Sequence, residues 1–209
     1  MTRVLSVGIA IVAVIVASPL AALIAICIKL EDAGPVFFRQ DRAGQGGRNF
    51  RLLKFRTMVT DAERKGLGVN VAPNDDRITR VGRVLRRWSL DELPQFLNVL
   101  KGDMNVVGPR PALPFQAARY TPSERRRLEV RPGLTGWAQV HGRNALSWKQ
   151  RIELDVWYVD HRNLAVDLLV LLRTPAAMLR SEGLYEPGAG LDDEFNAPEG
   201  EPPVGGAGP

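Results

Sequence analysis

The sequence is poor in several things that proteins use for stability or chemistry. Its 209 residues include one cysteine, Cys27, and two histidines, His141 and His161. A single thiol excludes an intramolecular disulfide framework, and no second histidine stands at ligand spacing, so a cysteine- or histidine-built metal centre is excluded too. No internal repeat is present, which excludes a solenoid. Charge is missing in two places. The 25 residues between Arg3 and Lys29 carry none, and residues 181–209 contain no lysine or arginine.

The first gap, VLSVGIAIVAVIVASPLAALIAICI, is long enough to cross a bilayer as a helix, which needs about 20 residues. A secretory signal peptide fits less well, because its apolar region runs only about 7 to 15 residues behind a more basic start. Ser18-Pro19 interrupts the run near its middle. Proline removes one helical hydrogen bond, and a nearby Ser hydroxyl can satisfy the carbonyl it frees. The outcome is either a kinked spanning helix or a re-entrant one with both ends on one face, and local physics leaves both open. The second gap holds seven acids, seven glycines and five prolines. Such a segment cannot bury enough apolar surface to order itself and is expected to be a disordered tail. The boundary falls near Arg180, so residues 1–180, with 28 basic and 16 acidic side chains, carry a net charge of +12.

Basic and aromatic residues alternate after the apolar run: Phe37, Phe38, Arg39, Arg42, Arg48, Phe50, Arg51, Lys54, Phe55 and Arg56. Val36–Arg39 and Phe50–Met58 read as short strands or surface-lying segments around a Gly-rich turn at 44–47. A basic, aromatic surface beside a membrane anchor suits anionic headgroups or an anionic substrate. Nucleic acid would fit the charge, but the hydrophobic run makes it the less economical partner.

RRWSLDELPQFLNVLKGD, residues 86–103, holds two adjacent carboxylates, Asp91 and Glu92. Ser89 and Glu92 have the spacing of a capping box, and Leu90, Leu93, Leu97 and Leu100 mark one face of a helix of about three turns that Lys101-Gly102 would end. Pro94 complicates that start: either Asp91 is the cap, or the first turn is irregular. The carboxylates are then helix-start acids or the chemistry of the protein, and the stretch by itself allows both. Gly-Pro-Arg-Pro at 108–111 fixes the backbone around Arg110, a guanidinium suited to gripping a phosphate. RPGLTGWAQVHGRN, residues 131–144, puts Trp137, Gln139, His141 and Arg143 among turns, either as a nucleotide-base site or as plain structure. Leu164–Arg180 is apolar almost all round with Asp167 inside it, as an interfacial helix would be; the acid is costly there unless paired or functional.

KFRTM, DELPQ, KGDMNVVGPRP, RPGLTGWAQVHGRNALSW and ELDVWYVDHRNLAVDLLVLLRT, in this order, resemble the bacterial sugar transferase family, the monotopic polyprenyl-phosphate phosphoglycosyl transferases. The match runs from about Val4 to Arg180 and is similar to the small form, since the chain starts at the anchor. Trp88 replaces a usual small or polar residue, and His141 stands where Asn is usual. The resemblance implies an α-rich α+β fold: a re-entrant membrane helix at 1–30, a membrane-associated catalytic domain at 31–180 with interfacial amphipathic helices and short strands, and the tail at 181–209. It implies that Asp91 attacks the sugar-bearing phosphate of a UDP-sugar, releasing UMP, and that polyprenyl (undecaprenyl) phosphate then takes the phosphosugar, starting surface glycan or glycoconjugate assembly. Glu92 would hold Mg²⁺. Lys54, Arg110 and Arg143 would contact phosphate or nucleotide, and Asp167 would order the site. The resemblance also implies a place in the bacterial inner membrane among its phospholipids, with the catalytic domain on the cytoplasmic face, no nucleic-acid partner, and room for a homodimer. The reading from another class is a membrane-anchored basic protein that binds anionic lipid or nucleic acid without catalysis.

Overall fold

A computed structural model describes residues 2–62, 75–142 and 145–179. The tail expected at 181–209 lies outside them, as does Arg143. The architecture is α-rich α+β.

Helix α1, Arg3–Asp32, is one helix of 30 residues, about 45 Å long at 1.5 Å per residue. Pro19 lies inside it. The carbonyl that Pro19 cannot engage belongs to Ile15, and the Ser18 hydroxyl donates to it at 2.8 Å, as expected of the Ser-Pro pair. Among the described residues this is the one helix long and apolar enough to cross a membrane. Ser6 and Ala10 near its start, and Ile24 and Ile28 near its end, are buried. Ala10 belongs to a core with Leu52, Val99, Met104, Val106, Val107, Tyr158 and Val170. Ile24 and Ile28 pack on Phe55 and Leu85. Both ends of α1 therefore rest on the same body, while Val12, Ile15, Val16, Leu23 and Leu30 stay exposed.

Of the two readings of the segments around the Gly-rich turn, short strands or surface-lying segments, the strands are present, and they pair. Strand β1, Phe37–Ala43, pairs antiparallel with β2, Asn49–Phe55, with Phe37 opposite Phe55 and Ala43 opposite Asn49. Gly46 and Gly47 take φ of +67° and +77° in the turn, a backbone region that costs a side chain free energy. Helix α2, Arg80–Arg87, packs so closely on this layer that a Cβ on Gly82 would lie 2.0 Å from the Thr57 carbonyl oxygen.

The carboxylate stretch departs from the capping-box reading. Ser89 sits in the left-handed region at φ +53° and its side chain makes no cap hydrogen bond to the turn that follows; Leu90–Glu92 form a 3₁₀ turn instead. Helix α3 begins only at Gln95 and ends at Lys101, two turns rather than three, with Gly102 at φ +102°. The irregular-turn alternative holds, because Pro94 has no N–H to continue a helix begun at Leu90 and can stand only at the start of the next.

Strands β3, Asn105–Val107, and β4, Gly133–Thr135, form a two-residue-pair parallel ladder that brings the Gly-Pro-Arg-Pro loop against the Pro132-Gly133 turn. Three-residue strands are too short to show a period, so the sequence carries no signal for them. Helices α4, Pro114–Ala118, and α5, Trp137–His141, are single turns. Helix α6, Trp148–His161, opens on a Ser147/Gln150 capping box, and α7, Leu164–Leu179, exposes Leu164, Leu168 and Leu172. Ala43, Ala112, Ala117, Tyr120 and Ile152 form a further core under α4 and α6.

Candidate active site

The 3₁₀ turn points its two acids inward. Asp91 is 8% exposed. Across from it, β2 presents Lys54, whose Nζ lies 2.9 Å from Glu92 Oε1 and 3.6 Å from Asp91 Oδ2. The loop after β3 presents Arg110, whose Nη2 donates to the same Glu92 oxygen at 2.8 Å. Four of the six residues singled out in the sequence thus meet at one place, although Lys54 and Glu92 are 38 residues apart.

The adjacent acids have different electrostatics. Burial pushes the Asp91 carboxyl above the usual carboxylate range, and the neighbouring Glu92 charge adds to this, while Lys54, Arg86 and Arg110 pull it down. Glu92 is opposed by burial too, but Arg110 and Lys54, by charge and by hydrogen bonds, hold it well below that range. Glu92 is accordingly a fixed anion, and Asp91 a carboxylate only partly compensated. The Glu92 charge in turn raises Arg110.

Two residues that the sequence reading passed over, Asn98 and Arg127, help to place these groups. Asn98, buried on α3, accepts from Leu53 N at 3.0 Å through Oδ1 and donates to Arg51 O at 2.8 Å through Nδ2, which ties β2, and so Lys54, to the helix after the turn. Its signal was a lone amide inside the apolar run FLNVL. Arg127, 3% exposed, pairs with buried Asp155, donates to Tyr120 Oη at 2.6 Å and to the Arg110 carbonyl at 3.0 Å, and so holds the backbone beneath Arg110. Burial pushes Asp155 up to about 6 against the pull of Arg127. Arg127 follows Arg125 and Arg126, and nothing in that run marks it as the buried member. Arg42 adds a bond to Pro111 O at 3.1 Å.

Other candidates lie elsewhere. Asp167 is fully buried and accepts from Tyr158 Oη at 2.6 Å, where it supports the packing of α7 on α6. Trp137, a candidate for a nucleotide base, is instead stacked on Trp157 at 4.4 Å between ring centroids and tilted against His141 at 4.1 Å. Gln139 donates to Leu134 O at 3.0 Å. These rings pack at the junction of α5 and α6.

A buried pair of unlike carboxylates under two cations, carried by an α+β body on a long apolar helix, has the form of an enzyme for anionic groups. Comparison with known proteins makes the class definite. The model of the bacterial sugar transferase family matches residues 1–181. The chain is 50% identical over 159 residues to the sugar transferase EpsL of Bacillus subtilis (strain 168), covering 76% of this chain and 77% of that one. It is 45% identical over 179 residues to the UDP-glucose:undecaprenyl-phosphate glucose-1-phosphate transferase of Caulobacter vibrioides, covering 80% of this chain and 66% of the relative. A third relative, the UDP-N-acetylgalactosamine-undecaprenyl-phosphate N-acetylgalactosaminephosphotransferase of Aeromonas hydrophila, is 43% identical over 180 residues, but the match spans only 42% of its length. The chain belongs to the bacterial sugar transferase family and is a transferase enzyme.

Proposed function

We propose that the protein transfers a phosphosugar from a UDP-sugar to undecaprenyl phosphate in two steps at Asp91. The observation that carries this is the contrast between the acids: Glu92 is pinned by Lys54 and Arg110, whereas Asp91 stands beside the same cations without a hydrogen bond at that distance from Lys54. In the first step an Asp91 carboxylate oxygen forms a bond to the sugar-bearing phosphorus, and the bond from that phosphorus to the bridging oxygen breaks, releasing UMP. In the second, an oxygen of undecaprenyl phosphate attacks the same phosphorus and frees the Asp91 carboxylate, leaving a sugar diphosphate lipid. Splitting one transfer between anions into two displacements is the usual gain of a covalent nucleophile. Lys54 and Arg110 are placed to offset charge on the phosphates, Arg110 through a two-toothed grip. The names of the Caulobacter and Aeromonas relatives give the substrate class.

The donor set fits Mg²⁺ in the manner usual for that ion, one or two carboxylates completed by substrate phosphates. Among the described residues no group of three or more acidic, histidine or cysteine side chains could hold a metal ion without such help. Glu92, the fixed anion, would hold it, with Asp91 adjacent. Bound there, Mg²⁺ supplies neutralisation of the diphosphate and orientation of the leaving group.

The seat of α1 supports a re-entrant topology. A helix that spans a bilayer can dock only one end on a cytoplasmic body, yet Ser6 and Ala10 at one end and Ile24 and Ile28 at the other are all buried on it. With the exposed leucines of α7, this suits an active site at headgroup depth on the cytoplasmic face, where a soluble nucleotide sugar and a lipid phosphate can meet.

The test is UMP release from a panel of UDP-sugars with Mg²⁺ and undecaprenyl phosphate. Asp91→Asn should abolish turnover, by a factor of roughly 10⁴ or more, while the protein stays folded and membrane-bound. Turnover at the normal rate in Asp91→Asn ends the covalent mechanism, and silence of the unaltered protein across a broad panel favours a binding protein.

A further inference from the structure

The two ends of α1 do more than pack. Each sends a charged side chain to the far end of a helix that flanks the carboxylate turn. Glu31, in the last turn of α1, accepts at the start of α2: Oε1 from Arg80 N at 2.6 Å and Oε2 from Val81 N at 3.1 Å. Thr79 N donates to Thr57 O at 3.0 Å and Gly82 N to Thr79 Oγ1 at 2.9 Å. The N–H groups that a helix start leaves without intrahelical acceptors are thereby satisfied, two of them by the membrane helix. At the other end, Arg3 donates through Nη2 to Leu100 O at 3.2 Å, in the last turn of α3, and through Nη1 to Met104 O at 2.9 Å, 101 residues away in sequence. Asp32, next to Glu31, pairs with buried Arg56, two residues beyond Lys54. The signs suit the helix dipoles, with an acid at the N-terminus of α2 and a base at the C-terminus of α3.

We propose that Arg3 and Glu31 are positioning residues: α1 grips the α2–turn–α3 unit from both sides, and the setting of Asp91 depends on this two-ended hold. Neither side chain touches the reacting atoms. Glu31 fixes the far end of the helix that leads into the turn, and Arg3 fixes the far end of the helix that leads out of it. If either hold is lost, the unit is free to rotate about the other, so the two losses share one consequence. The catalytic part of this inference rests on Asp91 as nucleophile; the structural part does not.

The experiment uses the full chain in lipid nanodiscs, with Arg3→Gln, Glu31→Gln, the double variant, and Glu31→Asp as the conservative control. Hydrogen exchange at residues 88–94 should quicken about tenfold in either single variant, with α6 unchanged, since local opening is set by the bonds that hold the segment. For UMP release, kcat should fall about tenfold with KM for the nucleotide sugar held within about twofold, the pattern of a lost transition-state arrangement. The double variant should cost about as much as either single, and Glu31→Asp should recover part of the loss. Unchanged exchange at 88–94 in the double variant overturns the proposal whatever the activity, and so does an unchanged kcat alongside quickened exchange. Quickened exchange in a protein whose unaltered form releases no UMP upholds the grip and overturns the transferase reading instead.

Discussion

At the scale of single residues, the useful contrast is between two adjacent acids whose shared surroundings shift their pKa values in opposite directions. Glu92 takes two direct hydrogen bonds from cations, whereas Lys54 approaches Asp91 at a longer distance. Removing Lys54 therefore has a predictable sign at Asp91. Burial raises its pKa and Lys54 opposes that rise, so in Lys54→Met the carboxyl should ionise at a higher pH. The nucleophile is the ionised form, so the acidic limb of the kcat/KM profile should move to higher pH. The rate on the plateau should drop roughly 10²-fold as a charge-offsetting donor is lost. A pH–rate profile whose acidic limb stays in place would detach Lys54 from Asp91. Arg127 and Asp155 act one step further back, as a buried pair under the Arg110 backbone. Breaking one member costs more than the pair contributes, because the other charge is left buried alone.

Among the elements, the junction of β2 with α3 governs whether Lys54 reaches the turn. A β-hairpin alone leaves the outer edge of β2 with unpaired backbone groups, and Asn98 answers two of them, Leu53 N and Arg51 O, from a helix. Asn98→Ala should remove both hydrogen bonds and destabilise the protein by roughly 1–3 kcal/mol. Its Tm in detergent should fall accordingly. Activity should fall more than the residual folded fraction explains, because the strand that carries Lys54 has lost its register pin. A Tm equal to that of the unaltered protein would mean that the hairpin is held by packing alone.

For the molecule as a whole, the question is how a helix about 45 Å long with an exposed apolar surface is accommodated. Leaving valines and leucines such as Val12, Val16 and Leu30 in water forgoes about 1.5–3 kcal/mol each relative to burial, so a membrane is their natural solvent. The re-entrant reading places Thr2 and the body on the same side. A cysteine at Thr2 in a Cys27→Ala background should resist a membrane-impermeant thiol reagent applied to intact cells. It should become reactive when both Ser18 and Pro19 are replaced by Leu, which restores an uninterrupted apolar helix. Labelling from outside in the protein with Ser18 and Pro19 intact would refute the re-entrant reading and leave a spanning helix.

By itself the sequence determined what local chemistry decides. The 25-residue uncharged run makes an apolar helix because nothing in it can face water at a profit, and Ser18 supplies the hydrogen bond that Pro19 withholds. Gly46 and Gly47 turn the hairpin and Gly102 ends a helix, because their backbone angles are costly for other residues. The acids and cations of the site were legible as residue types in recognisable strings. What only the tertiary structure decided was which of them meet. Lys54 and Arg110 reach Glu92 across 38 and 18 residues, Asp167 goes to Tyr158, and Trp137 is spent on Trp157. The capping box at Ser89 failed for the same reason. A favourable local cap of about 1 kcal/mol yields to an irregular turn, because Lys54 and Arg110 offset the cost of burying the acids and Pro94 cannot continue a helix begun at Leu90. Such long-range terms depend on the packing of every element at once, and a one-dimensional pattern does not record them.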